Sequence, residues 1–161
     1  MGTNAVTILR NHEMTFDNNY NINGSHDVEI ASIYRHYDGY PSGHGKDIAN
    51  SLLCAANTEP IETMFGTRKQ LNNRNWCQHF LKELCKRNID IEFIGNNANY
   101  YRDYTYIITG NYANYGGKIS IDGTTYLNSI IVDVYEGFEN DIKIFTGNAD
   151  SFIEWISSTN Y

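Results

Sequence analysis

Residues 28–54 read VEIASIYRHYDGYPSGHGKDIANSLLC, and the pattern of this stretch changes at its centre. Residues 28–34 are rich in β-branched and apolar side chains between polar ones, which is typical of a strand. Asp-Gly and Tyr-Pro pairs, both common in turns, interrupt the strand at residues 38–41. Apolar residues then recur at helical spacing, and we predict a helix that ends before Asn57. Those apolar residues are Ile48, Leu52 and Leu53. The stretch therefore predicts a strand, a corner and a helix in direct succession.

Two further helices are predicted beyond this stretch. A helix over about residues 67–87 places its apolar side chains on one face, opposite a charged one. These apolar side chains are Trp76, Cys77, Phe80, Leu81, Leu84 and Cys85. We interpret the two cysteines on that face as core residues. A short C-terminal helix follows Gly147-Asn148, which offers a cap. Its apolar side chains are Phe152, Trp155 and Ile156.

The remaining pattern predicts strands. They span residues 89–94, 102–109, 118–121, 124–127, 130–135 and 141–145, with Asp122-Gly123 as a hairpin turn. Residues 1–27 are rich in Asn and poorly patterned, so we predict mostly loop there, with residues 5–9 as an edge strand. This order of elements predicts an α+β fold, in which a largely antiparallel sheet has two central helices and a short C-terminal helix packed on one face.

Size and composition limit the function classes. A length of 161 residues suits one domain, and we predict a single α+β domain over residues 1–161. A mean hydropathy of -0.50 argues against a membrane protein. The net charge of -7 argues against general nucleic-acid binding, because phosphate neutralisation needs a basic surface. Three cysteines without paired spacing argue against disulfides and a zinc knuckle, and we expect a cytoplasmic protein.

The corner carries the residues that look most like a functional site. His36 and Asp38 lie two residues apart and share a face if the strand continues, and His44 folds back toward them across the turn. Such a His/Asp/His cluster suits a divalent metal or general acid-base chemistry. The alternative is a structural turn, in which Asp38 bonds nearby amides, Gly39 takes a positive φ and Pro41 fixes the corner.

Anion and base recognition are also suggested near the corner. The helix start with Lys46 offers backbone amides and an ammonium to a phosphate, although Walker spacing is absent. Arg35 lies on the opposite strand face from His36. Further along the chain, alternation places Arg102, Tyr104 and Tyr106 on one face, where tyrosines stack a base or sugar or simply pack in a sheet.

Residues 33–45 resemble a motif, roughly YRH-aromatic-DGYP-x-G-x-G, of small uncharacterised bacteriophage and prophage proteins. The C-terminal segment around Gly147 is similar to the same proteins. The resemblance implies a phage or prophage origin and an accessory protein made during infection, including one that antagonises host defence. It brings no established activity, so it assigns no catalytic residue.

Three functions are therefore weighed. The first is a non-enzymatic phage accessory protein of the host cytoplasm that sequesters a small anionic nucleotide-like ligand, without a cofactor and as a homo-oligomer. Its predicted ligand-binding residues are Arg35, His36, Asp38, Tyr40, His44, Lys46 and Tyr104. The second is a metal-dependent hydrolase or phosphodiesterase using His36, Asp38 and His44. The third is an interaction protein that inhibits a host enzyme through a tyrosine-rich sheet face.

Overall fold

The computed structural model describes residues 2–57, 61–64, 66–68, 76–87, 90–95, 99–111, 127–139 and 142–159. The strands are β1 (Ala5–Phe16), β2 (Ile22–Arg35), β3 (Ile61–Thr63), β4 (Gly66–Arg68), β5 (Ile91–Ile94), β6 (Tyr104–Asn111), β7 (Ile130–Glu136) and β8 (Ile142–Asn148). The helices are α1 (Lys46–Ala56), α2 (Trp76–Cys85) and α3 (Ala149–Ser158). A π-helical turn, Pro41–Gly45, runs directly into α1.

Six of the strands form one sheet in the order β5-β2-β1-β6-β7-β8. Each neighbouring pair is antiparallel except β1 and β6, which are parallel. β3 and β4 form a separate two-stranded ribbon. The α+β fold with a largely antiparallel sheet is confirmed, and the apolar faces of α1, α2 and α3 share one core with the same side of that sheet.

Alternation along the strands separates two apolar clusters. On the helix-covered face, Leu9, Ile33 and Tyr106 pack against the three helices and are fully buried. On the opposite face, a smaller cluster joins five side chains, with Tyr100 and Tyr135 packed against it. These five are Val6, Ile8, Tyr34, Ile94 and Ile107. The sheet is therefore apolar on both sides at its centre.

The N-terminal segment differs from the prediction of loop with an edge strand. β1 is an inner strand between β2 and β6, and it forms a long hairpin with β2. Residues 5–9 are buried on both faces, as an inner strand requires, whereas residues 22–27 of β2 are exposed. The hairpin end has no buried face, so its sequence shows no alternation that would reveal a strand.

The other predicted elements vary in outcome. The prediction of α1 is confirmed, and so are most of the later strands and α3, whose Asn148 side chain accepts a hydrogen bond from the Ser151 amide at 2.8 Å. The predicted start of the second helix is wrong, because Thr67 and Arg68 lie in β4. The hairpin predicted around Asp122-Gly123 lies outside the described residues. Within the described part of the chain, no helix is long and apolar enough to cross a membrane.

Candidate functional site

The corner between β2 and α1 is tightly packed against the start of β1. Asp38 takes a left-handed φ of 57°, and its carbonyl accepts a hydrogen bond from the His44 amide at 2.7 Å. A Cβ on Gly39 would lie 2.6 Å from the Asn4 carbonyl carbon. A Cβ on Gly43 would overlap the Asp38 carbonyl oxygen. The glycines of the motif thus have steric reasons to be there.

Arg35 ties this corner to the first turn of α1. Its Nη1 donates to Asp47 Oδ2 at 2.7 Å, and its Nε donates to the Tyr37 carbonyl at 2.6 Å. The guanidinium is buried, and the carboxylate is partly buried. Because both bonds are to the protein itself, the contacts of Arg35 are those of a corner-fixing residue. The predicted ligand contact by Arg35 has no support in this geometry.

His44 lies in the core beneath the corner. Its ring is fully buried, Nε2 lies 2.7 Å from Thr7 Oγ1, and the Tyr106 ring meets it edge-on at 5.4 Å between centroids. Burial, followed by the nearby Arg35 charge, lowers the His44 pKa from 6.5 to about 3. The imidazole is therefore neutral at physiological pH and is shielded from ligands.

His36 points to the other side of the sheet. Its Nε2 lies 3.1 Å from Glu92 Oε2, and its ring packs edge-on against Tyr34 at 4.7 Å. Tyr34 belongs to the smaller cluster on the face opposite α1, α2 and α3, so the sheet separates His36 from His44. The predicted convergence of His36, Asp38 and His44 is wrong. Among the described residues, no group of three or more His, Cys, Asp or Glu side chains is placed to hold a metal ion.

The predicted phosphate site at the start of α1 is also contradicted. The amides of Gly43 and Gly45 donate to the Tyr40 carbonyl at 3.0 and 3.4 Å, and the His44 amide bonds Asp38. The Lys46 amide donates to the Gly43 carbonyl. The π-helical turn continues directly into α1, so the amides of residues 43–46 all donate to carbonyls of the corner. These four N–H groups are therefore not available to a phosphate. Lys46 itself is exposed.

An open cleft of about 420 Å³ lies beside the corner, where β6 begins and β7 ends. Two of the predicted residues, Tyr40 and Tyr104, line it. The rest of its lining comes from residue 3, residues 101–103 and residues 136–138. The tip of the corner and the turn after β7 therefore meet around one depression, which we call the aromatic cleft.

Aromatic rings and a cation stand together in this cleft. The Tyr101 and Phe138 rings stack at 5.6 Å between centroids with an interplanar angle of 13°. The Arg102 guanidinium carbon lies 5.9 Å from the Phe138 ring centroid, within cation–π range. Arg102 is buried, and burial lowers its pKa from the ordinary value, although it stays charged at neutral pH.

Two carboxylates complete the lining. Asp103 accepts hydrogen bonds from the Asn4 amide at 2.9 Å and from the Tyr101 hydroxyl at 3.2 Å. Its charge and that hydrogen bond raise the pKa of Tyr101. Glu136 accepts from the Tyr104 hydroxyl at 3.4 Å. The cleft therefore combines flat apolar surfaces, one guanidinium and two carboxylate acceptors, a set suited to a polar aromatic molecule.

Sequence reasoning found part of this cleft. The tyrosine-rich stretch contains Arg102 and Tyr104, and both line it, but Tyr106 is fully buried under the helices and stacks no ligand. Phe138 was not predicted, because it lies in the turn after β7, far along the chain from its partner Tyr101. Its isolated position in a Gly-Phe turn gives no periodic signal.

Comparisons of the chain with protein-family models, with curated proteins and with solved structures find no match.

Proposed function

We propose that this chain binds and sequesters a small nucleotide-like ligand in the aromatic cleft. The observation that carries the proposal is the meeting of the stacked Tyr101–Phe138 pair with Arg102 in a cleft of about 420 Å³. Small-molecule sites of about 300–1,000 Å³ that join aromatic surface to a few polar groups are common in proteins.

The chemistry of each group fits one part of such a ligand. A base stacks on an aromatic ring with a free energy of about 1–3 kcal/mol. Phe138 and Tyr101 are both exposed, so their rings are accessible to a base. A guanidinium presents a fork of donors that matches a phosphate, and partial removal of water strengthens that attraction. Arg102 supplies this group at the same cleft.

The biological setting we propose is that of a phage accessory protein acting in the host cytoplasm, where capture of a nucleotide-derived signal would blunt host defence. Support for that setting is the motif resemblance of residues 33–45. Sequestration is favoured over hydrolysis because His36 and His44 lie on opposite sides of the sheet. A protein-blocking face built on Tyr104 and Tyr106 is disfavoured, since both side chains are buried and present little surface to a partner.

Calorimetry with a panel of linear and cyclic nucleotides and ADP-ribose tests the proposal. We expect saturable heat with at least one member, and intact ligand when the complex is denatured and analysed by mass spectrometry. Phe138→Ala should weaken binding by about tenfold or more, given the stacking energy that it removes. Phe93→Ala is the matched control, because Phe93 is an exposed phenylalanine of β5 outside the cleft lining. Absence of heat with every member, or an equal loss in both variants, refutes the proposal.

A further inference from the structure

The described lining of the aromatic cleft contains more negatively charged than positively charged side chains. Among the described residues that line it, Arg102 is a cation, and Asp103 and Glu136 are carboxylates. A third carboxylate, Asp38, accepts a hydrogen bond at 3.1 Å from the hydroxyl of the lining residue Tyr40. The cleft and its rim thus carry more negative than positive charge, on a chain whose net charge is -7.

The carboxylates also retain capacity to accept hydrogen bonds. An ionised carboxylate has about four lone-pair positions. Among the described residues, Asp103 accepts from the Asn4 amide and the Tyr101 hydroxyl, and Glu136 accepts from the Tyr104 hydroxyl. The remaining positions suit ligand donors, and a carboxylate accepting from ribose hydroxyls is a common arrangement in nucleotide-binding proteins.

From this arrangement, and resting on the proposed function, we infer that the aromatic cleft selects nucleotides with a single phosphate and rejects polyphosphates. Arg102 attracts the first phosphate, while a base and sugar occupy the aromatic and carboxylate surfaces. Each further phosphate adds negative charge near Glu136 and Asp103 without a second cation among the described lining residues. At separations of several ångströms near a protein surface, such like-charge repulsion is large enough to weaken binding about tenfold.

The test compares adenosine, AMP, ADP and ATP by calorimetry at low salt, without divalent cations that would neutralise the phosphates. We expect AMP to bind most tightly and adenosine to bind more weakly. Each phosphate beyond the first should lower the affinity about tenfold, and high salt should reduce these differences. Glu136→Gln keeps an acceptor for Tyr104 but removes one negative charge. It should therefore reduce the ratio of the AMP affinity to the ATP affinity about tenfold. Glu92→Gln removes the same charge from β5, outside the cleft lining, and should leave the ratio unchanged.

The outcomes separate the two ideas. If AMP and ATP bind equally, or ATP binds more tightly, single-phosphate selection is wrong while nucleotide binding stands. If Glu136→Gln and Glu92→Gln change the ratio equally, the selection does not arise in the cleft and the inference is again wrong. If neither these four compounds nor the wider nucleotide panel binds, the proposed function itself fails.

Discussion

The buried imidazole of His44 gives the most direct test of the corner's structure. Its pKa is about 3 in the folded protein, against 6.5 for an ordinary histidine, because burial and the Arg35 charge disfavour the protonated ring. Between these two values the unfolded chain binds a proton that the folded chain does not. The free energy of unfolding should therefore fall as the pH drops below about 6.5.

The size of this effect follows from the width of the pH window. Well inside this window, each pH unit costs about 1.4 kcal/mol of stability. Because an unfolded histidine is already half protonated at pH 6.5, His44 alone should remove about 2 kcal/mol between pH 6.5 and pH 4.5. Urea unfolding, followed by tryptophan fluorescence at several pH values, measures the loss. The His44→Gln side chain keeps an amide that can bond Thr7 but does not titrate. Between pH 6.5 and pH 4.5 this variant should therefore lose less stability than the unmodified protein, by the amount that His44 contributes.

The comparison between variants carries the result. His36→Gln makes the same replacement on a half-exposed ring across the sheet and serves as the control. We expect its pH dependence to stay closer to that of the unmodified protein. If His44→Gln and the unmodified protein lose the same stability between pH 6.5 and pH 4.5, then His44 is not a buried neutral ring and the description of the corner is wrong.

Two further predictions concern the fold around this site. Gly39→Ala should lower the free energy of unfolding by about 1–3 kcal/mol, because the added Cβ overlaps the Asn4 backbone. Gly95→Ala is the control and should cause no loss, since a Cβ there meets nothing within 4 Å. Equal effects of the two variants in urea titrations would contradict the steric account. Asn148→Ala should lower the free energy of unfolding by about 1 kcal/mol, because it removes the hydrogen bond that caps α3 at the Ser151 amide. Asn148→Asp should keep most of that stability. Equal thermal stability of the two variants would exclude the cap.

The elements that bury one face were predictable from the sequence. α1 and α3 have apolar residues at helical spacing, and the structure places Ile48, Leu52, Phe152 and Ile156 in the core accordingly. β1 was misjudged as an edge because its position depends on pairing with β6, about a hundred residues away. Local pattern contains no information about such a partner.

The site was predictable in its composition but not in its geometry. The crowding of His36, Asp38 and His44 in the sequence suggested a cluster, yet the sheet comes between the two rings. Motif residues such as Arg35 and Gly39 instead hold the corner together. The cleft arises where the turn after β7 meets the start of β6, and Phe138 enters it only through that tertiary contact.

The parallel pairing of β1 with β6 also constrains when the protein can fold during its synthesis. Ala5 pairs with Tyr104, and the Tyr106 hydroxyl donates to the Gly39 carbonyl at 2.8 Å. The N-terminal hairpin and the corner therefore cannot pack against β6 until most of the chain has left the ribosome. At about 5–20 residues per second, this delay lasts several seconds, during which one side of β1 lacks its partner. Truncation before β6 should therefore leave a chain that aggregates, because unpaired strand edges pair with other chains.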